Sequence, residues 1–459
     1  MALVIPVKST VSQAEGFLAE VPEHEFLRNR YFRTRESDMF PSENVLFDFD
    51  ELDLKAGVFI REGYKSVNTT KNYFSTAVVP PRVALEDTVN VSKDKDRLLF
   101  ERLCYAMGVE PNSDTGRADA YENLKRVKVS RMGQRVNRSV ERECVNVLLN
   151  NGIYGTQETS DTDPTPVDIS ISYFDESEGN TQRYIPAHAW GSADATPYRD
   201  VCAMVIALKQ HGGRPVDLLI SAAAWVILEK DAEFLKMVQT YHSEGSTLVG
   251  EEAEGAEIVA RCVFAGTPLN IITYSGMYED EDGNQHQYLP DDFVCVLSPD
   301  CGRTLCGGCV DIDRESITSN DPTLVRSFVN RRGYIAASQY IDFRYKKLGL
   351  LVESRPLPAP KRRWAWITME AMNESSVSEG TVGAAIEVIF TTEESGVTLP
   401  DDRKNVLGGS EITFSVPAVS GKTCDVYMNG SLSVEGASGS TTVTVPKIST
   451  YIEFVYKTA

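Results

Sequence analysis

An α+β body followed by a separate all-β C-terminal domain is the fold class this sequence predicts, and three observations carry it. Residues 117–150 keep one helical period throughout. From residue 196 helical and extended stretches alternate, and they end in long strands over 333–358. A composition shift then falls at 359–376 ("APKRRWAWITMEAMNESS"), beyond which β-formers are broken by Gly, Ser and Asn turns.

Taken in order, the first segment reads as an arm. "FLRNRYFRTRESDMFPSENVLFDFDELDLK" sets Phe26, Tyr31, Phe32, Phe40, Phe47 and Phe49 among charges without a sustained period, so its rings are expected to bury against something outside the segment. "GVFIREGYKSVNTTKNYFSTAVVPPRVALE" (57–86) gives two extended runs around a polar bend with no apolar face of their own. A protruding two-stranded loop is expected, because such a pair alone is marginal in water. In the long helix Met132, Val136, Val140, Cys144 and Val147 mark the buried face, with Gly152 as the stop. Arg131, Arg135, Arg138 and Arg142 form a basic stripe on another face, which meets either acids of the same or a neighbouring chain or open water.

Thr196 and Pro197 open the next helix and Gly212-Gly213 close it. "PVDLLI" reads as a buried strand, and Ser221 as the cap of a helix that "DAEFLKMVQTY" continues. A polar loop (242–257) leads into a hairpin of "LNIITYSGMY" and "QYLPDDFVCVL", with Asp282-Gly283 as a two-residue type I′ turn. The tail from Ser410 ("SEITFSVPAVSGKTCDVYMNGS…") reads as a small β-sandwich.

Several chemistries fail on their own requirements. With Gly283 at the sixth position of a calcium loop, Asp280 and Asp282 fit, but the first and last positions are Tyr278 and Leu289. Only Cys306 and Cys309 have zinc-type spacing, and no second pair accompanies them. "SGKT" imitates the end of a phosphate loop, yet the required first glycine is Val416. No metalloprotease, nucleophile-elbow or dinucleotide motif occurs, so no catalytic, cofactor or metal residue is expected. A net charge of −20 opposes wrapping nucleic acid over most of the surface. The N-terminus is a poor signal peptide, "LLISAAAWVIL" is too short to span a bilayer, and the nine cysteines are expected as reduced thiols in cytoplasm.

"ITYSGMYEDEDGNQHQYLPDDFVCVLSPDCGRTLCGGCVDID" resembles a stretch of lambda-type tailed-phage major capsid proteins, through Tyr274, Ser275, Gly276, Tyr278, Gly283, Leu289, Pro290, Asp291, Gly302 and Arg303. "FLRNRYF" (26–32) is similar to that family's early Phe-Leu-Arg segment, and the resemblance covers roughly residues 20–358. It implies a Hong Kong 97-type capsid fold: arm (1–54), extended E-loop (55–90), spine helix and first part of the peripheral domain (91–200), axial domain (201–325) and closing peripheral strands (326–360). A linker and immunoglobulin-like β-sandwich (361–459) are an addition to that pattern.

The implied function is a structural one: hexamers and pentamers closing an icosahedral head around double-stranded DNA, without sequence-specific or membrane binding. Portal, scaffolding and decoration proteins are the further partners. The chain would assemble in the host cytoplasm and end in the virion. Phe26, Tyr31, Phe32, Lys65, Lys71, Tyr73, Phe74 and the four stripe arginines are the expected inter-subunit contacts. An exported β-domain adhesin and a hydrolase with an unrecognised triad are the competing readings.

Overall fold

A computed structural model describes residues 26–48, 75–89, 94–106, 114–157, 167–173, 180–241, 251–253, 256–280, 283–299, 301–312, 327–330, 335–342, 347–373, 380–448 and 450–458. Its longest element is the helix Asp114–Asn150, and the apolar stripe from Met132 to Val147 is buried along it. The residue that turns the chain out of this helix is Asn151, at φ 52°, rather than Gly152, which opens the strand Gly152–Gln157. Asn tolerates the left-handed region because its short side chain bonds locally.

The first half of the long helix packs on the helix Asp94–Ala106 and on a three-stranded antiparallel sheet. That sheet runs Ala336–Asp342, Lys347–Ser354, Val83–Val89. Phe100, Cys104, Leu124, Met132 and Leu350 fill the space between. Lys128 is buried here and satisfied by Asp96 (2.9 Å), Asp87 (3.3 Å) and the Thr88 carbonyl (2.8 Å). Unpaired, that ammonium would be strongly destabilising.

Val83–Val89 was expected within the extended loop and is instead a strand of this sheet, because its residues pair along the whole of Leu348–Ser354. The loop's base is an antiparallel pair of Val45–Asp48 with Ser75–Val78. Lys65, Lys71, Tyr73 and Phe74, the expected contacts on the loop, lie outside the described residues.

The second half of the long helix lies under a twelve-stranded sheet. From one edge its order is Glu251–Ala253, Ala256–Phe264, Thr267–Tyr274, Asp217–Ile220, Phe293–Leu297, Trp366–Glu370 and Asn180–Ile185. Strand alternation then serves two cores. Leu219, Phe293, Cys295, Leu297 and Trp366 face the long helix, while Leu218, Ile220, Val294, Val296 and Ile367 meet the helices on the other side. Those helices are Pro197–Gln210, Ala222–Glu229 and Ala232–Tyr241. The last two were expected as one. Asp231 separates them, its carboxylate taking the Glu233 and Phe234 N–H groups (2.8 Å each) as a new N-cap.

Past Asn180–Ile185 the same sheet continues through Thr381–Thr392, Thr450–Thr458, Lys422–Met428 and Ser431–Ala437, with Arg403–Leu407 paired to Thr381–Thr392. Glu411–Val416 and Gly439–Thr444 form a second, two-stranded sheet. Between the layers Phe390, Phe414 and Phe454 pack ring on ring at 5.2–6.0 Å. Residues 361–371, expected as a linker, belong to the body. Trp366 is fully buried in the central sheet, and its indole N–H donates to the Leu148 carbonyl at 3.2 Å.

Candidate functional site

The arm enters the described chain as the helix Phe26–Arg30, and its docking is built from two buried carboxylates. Glu141, on the long helix and 0% exposed, accepts the Leu27 N–H (2.7 Å) and the Arg28 N–H (3.0 Å). Those N–H groups have no partner within the helix, and an anion at that end also meets the favourable end of the peptide dipoles. Arg28 reaches Asn137, one turn back along the long helix, at 3.1 Å. Asp217 opens a central-sheet strand, is 4% exposed, and accepts from Arg30 Nε (2.9 Å), the Tyr31 hydroxyl (2.9 Å) and Asn270 Nδ2 (2.8 Å). Burial, with the Asp217 charge second, pushes the Tyr31 hydroxyl far above its ordinary range, so it stays a donor.

Rings continue the attachment. Phe26 lies against Tyr31 (6.0 Å) and Tyr274 (5.8 Å), Tyr274 stacks on Tyr288 (5.9 Å), and Tyr288 meets Tyr278 (5.1 Å). Phe32 sits where Gly302 has no side chain; a Cβ there would fall inside the Phe32 ring and 3.0 Å from the Ala359 carbonyl. Thr304 Oγ donates to the Phe32 carbonyl at 2.7 Å, and Arg303 lies 3.8 Å from Asp38. The two stretches that carried the resemblance therefore meet in space as one junction. Phe26, Tyr31 and Phe32, expected to anchor in a neighbouring subunit, are buried in their own. The arm lacks a core, and the end of the long helix and the hairpin supply one from the same chain.

The hairpin pairs Met277–Glu279 with Gln285–Gln287. Its connection is three residues long rather than two: the Gly283 N–H returns to the Asp280 carbonyl (3.2 Å), the Asp280 N–H reaches the Asn284 carbonyl (3.0 Å), and Gly283 takes φ 86°. That pattern is a turn followed by a left-handed bulge residue. Asp282 lies outside the described residues. The Asp280 carboxylate holds His286 Nε2 (2.8 Å), Asn284 N–H (2.8 Å) and Asn284 Nδ2 (3.1 Å), which draw its pKa down to about 2. It acts as a turn brace.

Arg131, Arg135, Arg138 and Arg142 are all exposed on the long helix. Arg142 pairs with Glu143 at 3.1 Å; the other three make no ion pair among the described residues. All nine cysteines are free thiols, eight of them buried, and burial raises Cys306 to about 12 and also raises Cys309. Among the described residues no cluster of side chains fits a metal ion, and no helix is long and apolar enough to cross a membrane.

A model of the family "phage major capsid protein E" matches residues 16–371. The chain belongs to that family. Among solved structures it is similar to an Escherichia coli CFT073 prophage protein described as a capsid protein, at 14% identity and a TM-score of 0.49, over 78% of this chain and 98% of that one. It is also similar to a phage-related protein of Bordetella bronchiseptica RB50 (13%, TM-score 0.42, 79% and 96%) and to a chain of Mycobacterium phage Patience (9%, 0.37, 81% and 89%). No curated protein matches.

As a major capsid protein of a bacteriophage head, the chain self-associates into the icosahedral capsid of the virion. The matched region closes at Ala371, at the end of the strand Trp366–Glu370, so the strands from Thr381 onward lie beyond it. Glu141 and Asp217 were not singled out from sequence. One signal for Glu141 was available: an acid beside Val140 and Cys144, on the apolar flank of an otherwise basic helix.

Proposed function

We propose that this capsid protein builds a Hong Kong 97-type shell for a tailed double-stranded DNA phage, as hexamers and pentamers. The long helix with its three-stranded sheet serves as spine and peripheral domain, and the helix-covered part of the central sheet as the axial domain. The antiparallel pair Val45–Asp48 with Ser75–Val78 carries the extended loop toward a neighbour. One observation carries this division of labour: the arm's rings are satisfied at home, while the loop's base leaves Leu46 (53% exposed) and Val79 (56% exposed) uncovered. A neighbouring copy covers them in an obligate interface of about 2,000 Å² or more.

Residues 380–458 form an outer-surface domain that clamps neighbouring capsomers against the pressure of packaged DNA. Scaffolding and portal proteins, with or without a separate decoration protein, complete the assembly in the host cytoplasm. The chain itself performs no catalysis. Electron microscopy of the expressed full chain tests the core of this reading: closed shells, tubes or hexameric sheets are expected. Deleting residues 55–70, which spares the paired strands Val45–Asp48 and Ser75–Val78, should leave a folded protomer that makes none of them. Normal shells from that deletion would overturn the loop assignment.

A further inference from the structure

The strands Asp217–Ile220, Phe293–Leu297 and Trp366–Glu370 share one end of the central sheet, where Asp217, Leu297 and Trp366 are register partners. Two chain segments gather cations there. The helix Pro197–Gln210 runs out through Lys209, His211 and Arg214, all exposed, and the half-buried run Lys361-Arg362-Arg363 leads into Trp366. Backbone N–H groups fix both segments to the sheet end. That of Arg214 donates to Ser298 Oγ (3.1 Å), that of Ser298 to the Ala365 carbonyl (2.9 Å) and that of Lys361 to the Cys301 carbonyl (3.0 Å). Between the segments the His211 ring stacks on Trp364, with centroids 3.7 Å apart and planes 7° from parallel. Desolvation, with the Arg363 charge second, lowers the His211 pKa, so at neutral pH the pair is an uncharged flat face set among cations. Asp217, at the head of its strand, is buried and already takes Arg30, Tyr31 and Asn270. Lys209, Arg214, Lys361 and Arg362 form no ion pair among the described residues.

In a chain of net charge −20 such a cluster is a local exception, and it attracts a polyanion. Its composition says which kind. Charged residues, lysine among them, are depleted at the centre of protein–protein interfaces, whereas lysine and arginine make the centre of surfaces that meet nucleic acid. We propose, on the reading of the chain as the wall of a DNA-filled head, that this sheet end is a sequence-independent docking surface for duplex DNA, with Lys209, Arg214, Lys361, Arg362 and Arg363 set against backbone phosphates. The His211–Trp364 stack holds the two segments at a fixed separation, so the cations meet the phosphates already in place, which lowers the ordering cost of binding.

The test is fluorescence anisotropy of a labelled, mixed-sequence duplex of about 20 base pairs with soluble full-length protein, between about 50 and 200 mM salt. Five phosphate contacts give log Kd a slope of about 4.5 against log salt, a loss of about 500-fold in affinity over that range. Arg214→Gln, Lys361→Gln and Arg362→Gln together should bring the slope down to about 1.8 and the loss to about tenfold. Lys209→Gln with Arg214→Gln, at two exposed positions that burden the fold least, should lower the slope by about 1.8. Arg131→Gln with Arg135→Gln on the long helix should leave it unchanged. No binding at about 50 mM salt, a slope unmoved by both sheet-end variants, or an equal loss from the long-helix control would overturn the proposal. Polyglutamate that displaces the labelled duplex as well as unlabelled duplex does would overturn it too, since the surface would then fit an acidic protein. Shell formation by the parent chain is read separately by electron microscopy, so a flat salt dependence in a chain that forms shells refutes the docking surface alone.

Discussion

Replacing Glu141 probes the arm junction at its most buried point. In Glu141→Ala the Leu27 and Arg28 N–H groups lose both acceptors, at 2.7 and 3.0 Å, the first bond buried and the second half-buried. Each stranded donor costs about 1–3 kcal/mol, and relief from burying the carboxylate returns part of that, so the net loss is about 3 kcal/mol. Glu141→Gln keeps one carbonyl oxygen and should lose about half as much. Phe26, Leu27, Tyr31 and Phe32 still contribute about 1.5–3 kcal/mol each by burial, so the arm remains docked on average and opens more often. Amide hydrogen exchange of residues 27–32 in the soluble protomer reads that opening. About 3 kcal/mol corresponds to exchange faster by a hundredfold or more in the alanine variant, with exchange in the sheet core unchanged. Exchange within about threefold of the parent protein would refute the reasoning, because two stranded donors must appear in the opening equilibrium. A glutamine variant as damaged as alanine would show that charge, rather than the two hydrogen bonds, holds the arm.

Gly302→Ala places a methyl group into the Phe32 ring and should lower the melting temperature by several degrees, the cost of overpacking being about 1–3 kcal/mol; an unchanged melting curve would mean that Phe32 is free to move. A stop after Asn373 keeps Trp366–Glu370 and should give a folded body whose particles withstand less heat. A stop after Pro360 removes the fully buried Trp366 and should yield insoluble protein; native-like melting of that shorter chain would contradict the strand order. Asp280 is held at about 2, below its ordinary 3.8, by His286 and then Asn284, so its brace on the hairpin is fully present above pH 4 and is lost as pH falls toward 2. Protection of the Asn284 amide should follow that acid titration in the parent chain and be independent of pH over this range in Asp280→Asn. An identical pH profile in both would remove the brace.

The long helix was legible because five apolar positions repeat at helical spacing and all five are buried. The strand Asp217–Ile220 and the Ser221 cap were legible as well, the serine Oγ accepting the Ala224 N–H at 3.2 Å. What stayed hidden depended on long-range pairing. Val83–Val89 reads as an extended run in any context, and only its register with Leu348–Ser354 makes it a strand of the three-stranded sheet. Trp366–Glu370 follows a basic turn that looks like a joint, and its place between two central strands has no local mark. The hairpin's glycine was readable, yet loop length was not, since Asp-Gly serves both a two-residue turn and a bulged three-residue one. The arm's rings were visible as anchors, but whether the pocket belongs to the same chain or to a neighbour is not written in the arm.

The strand Asn180–Ile185 joins Trp366–Glu370 on one side and Thr381–Thr392 on the other, so one hydrogen-bonded sheet runs from the helix-covered strands into the C-terminal strands. For particle engineering, this fixes an address. A peptide fused beyond Thr458 departs from a strand flanked by Thr381–Thr392 and Lys422–Met428, in the interior of that sheet. Its exit direction is therefore set by the same backbone lattice that sets the body, not by a hinge. Copies repeated over a shell would point their cargo with the shell's own symmetry, and a rigid graft would be displayed as an ordered array rather than as a cloud of tethered modules.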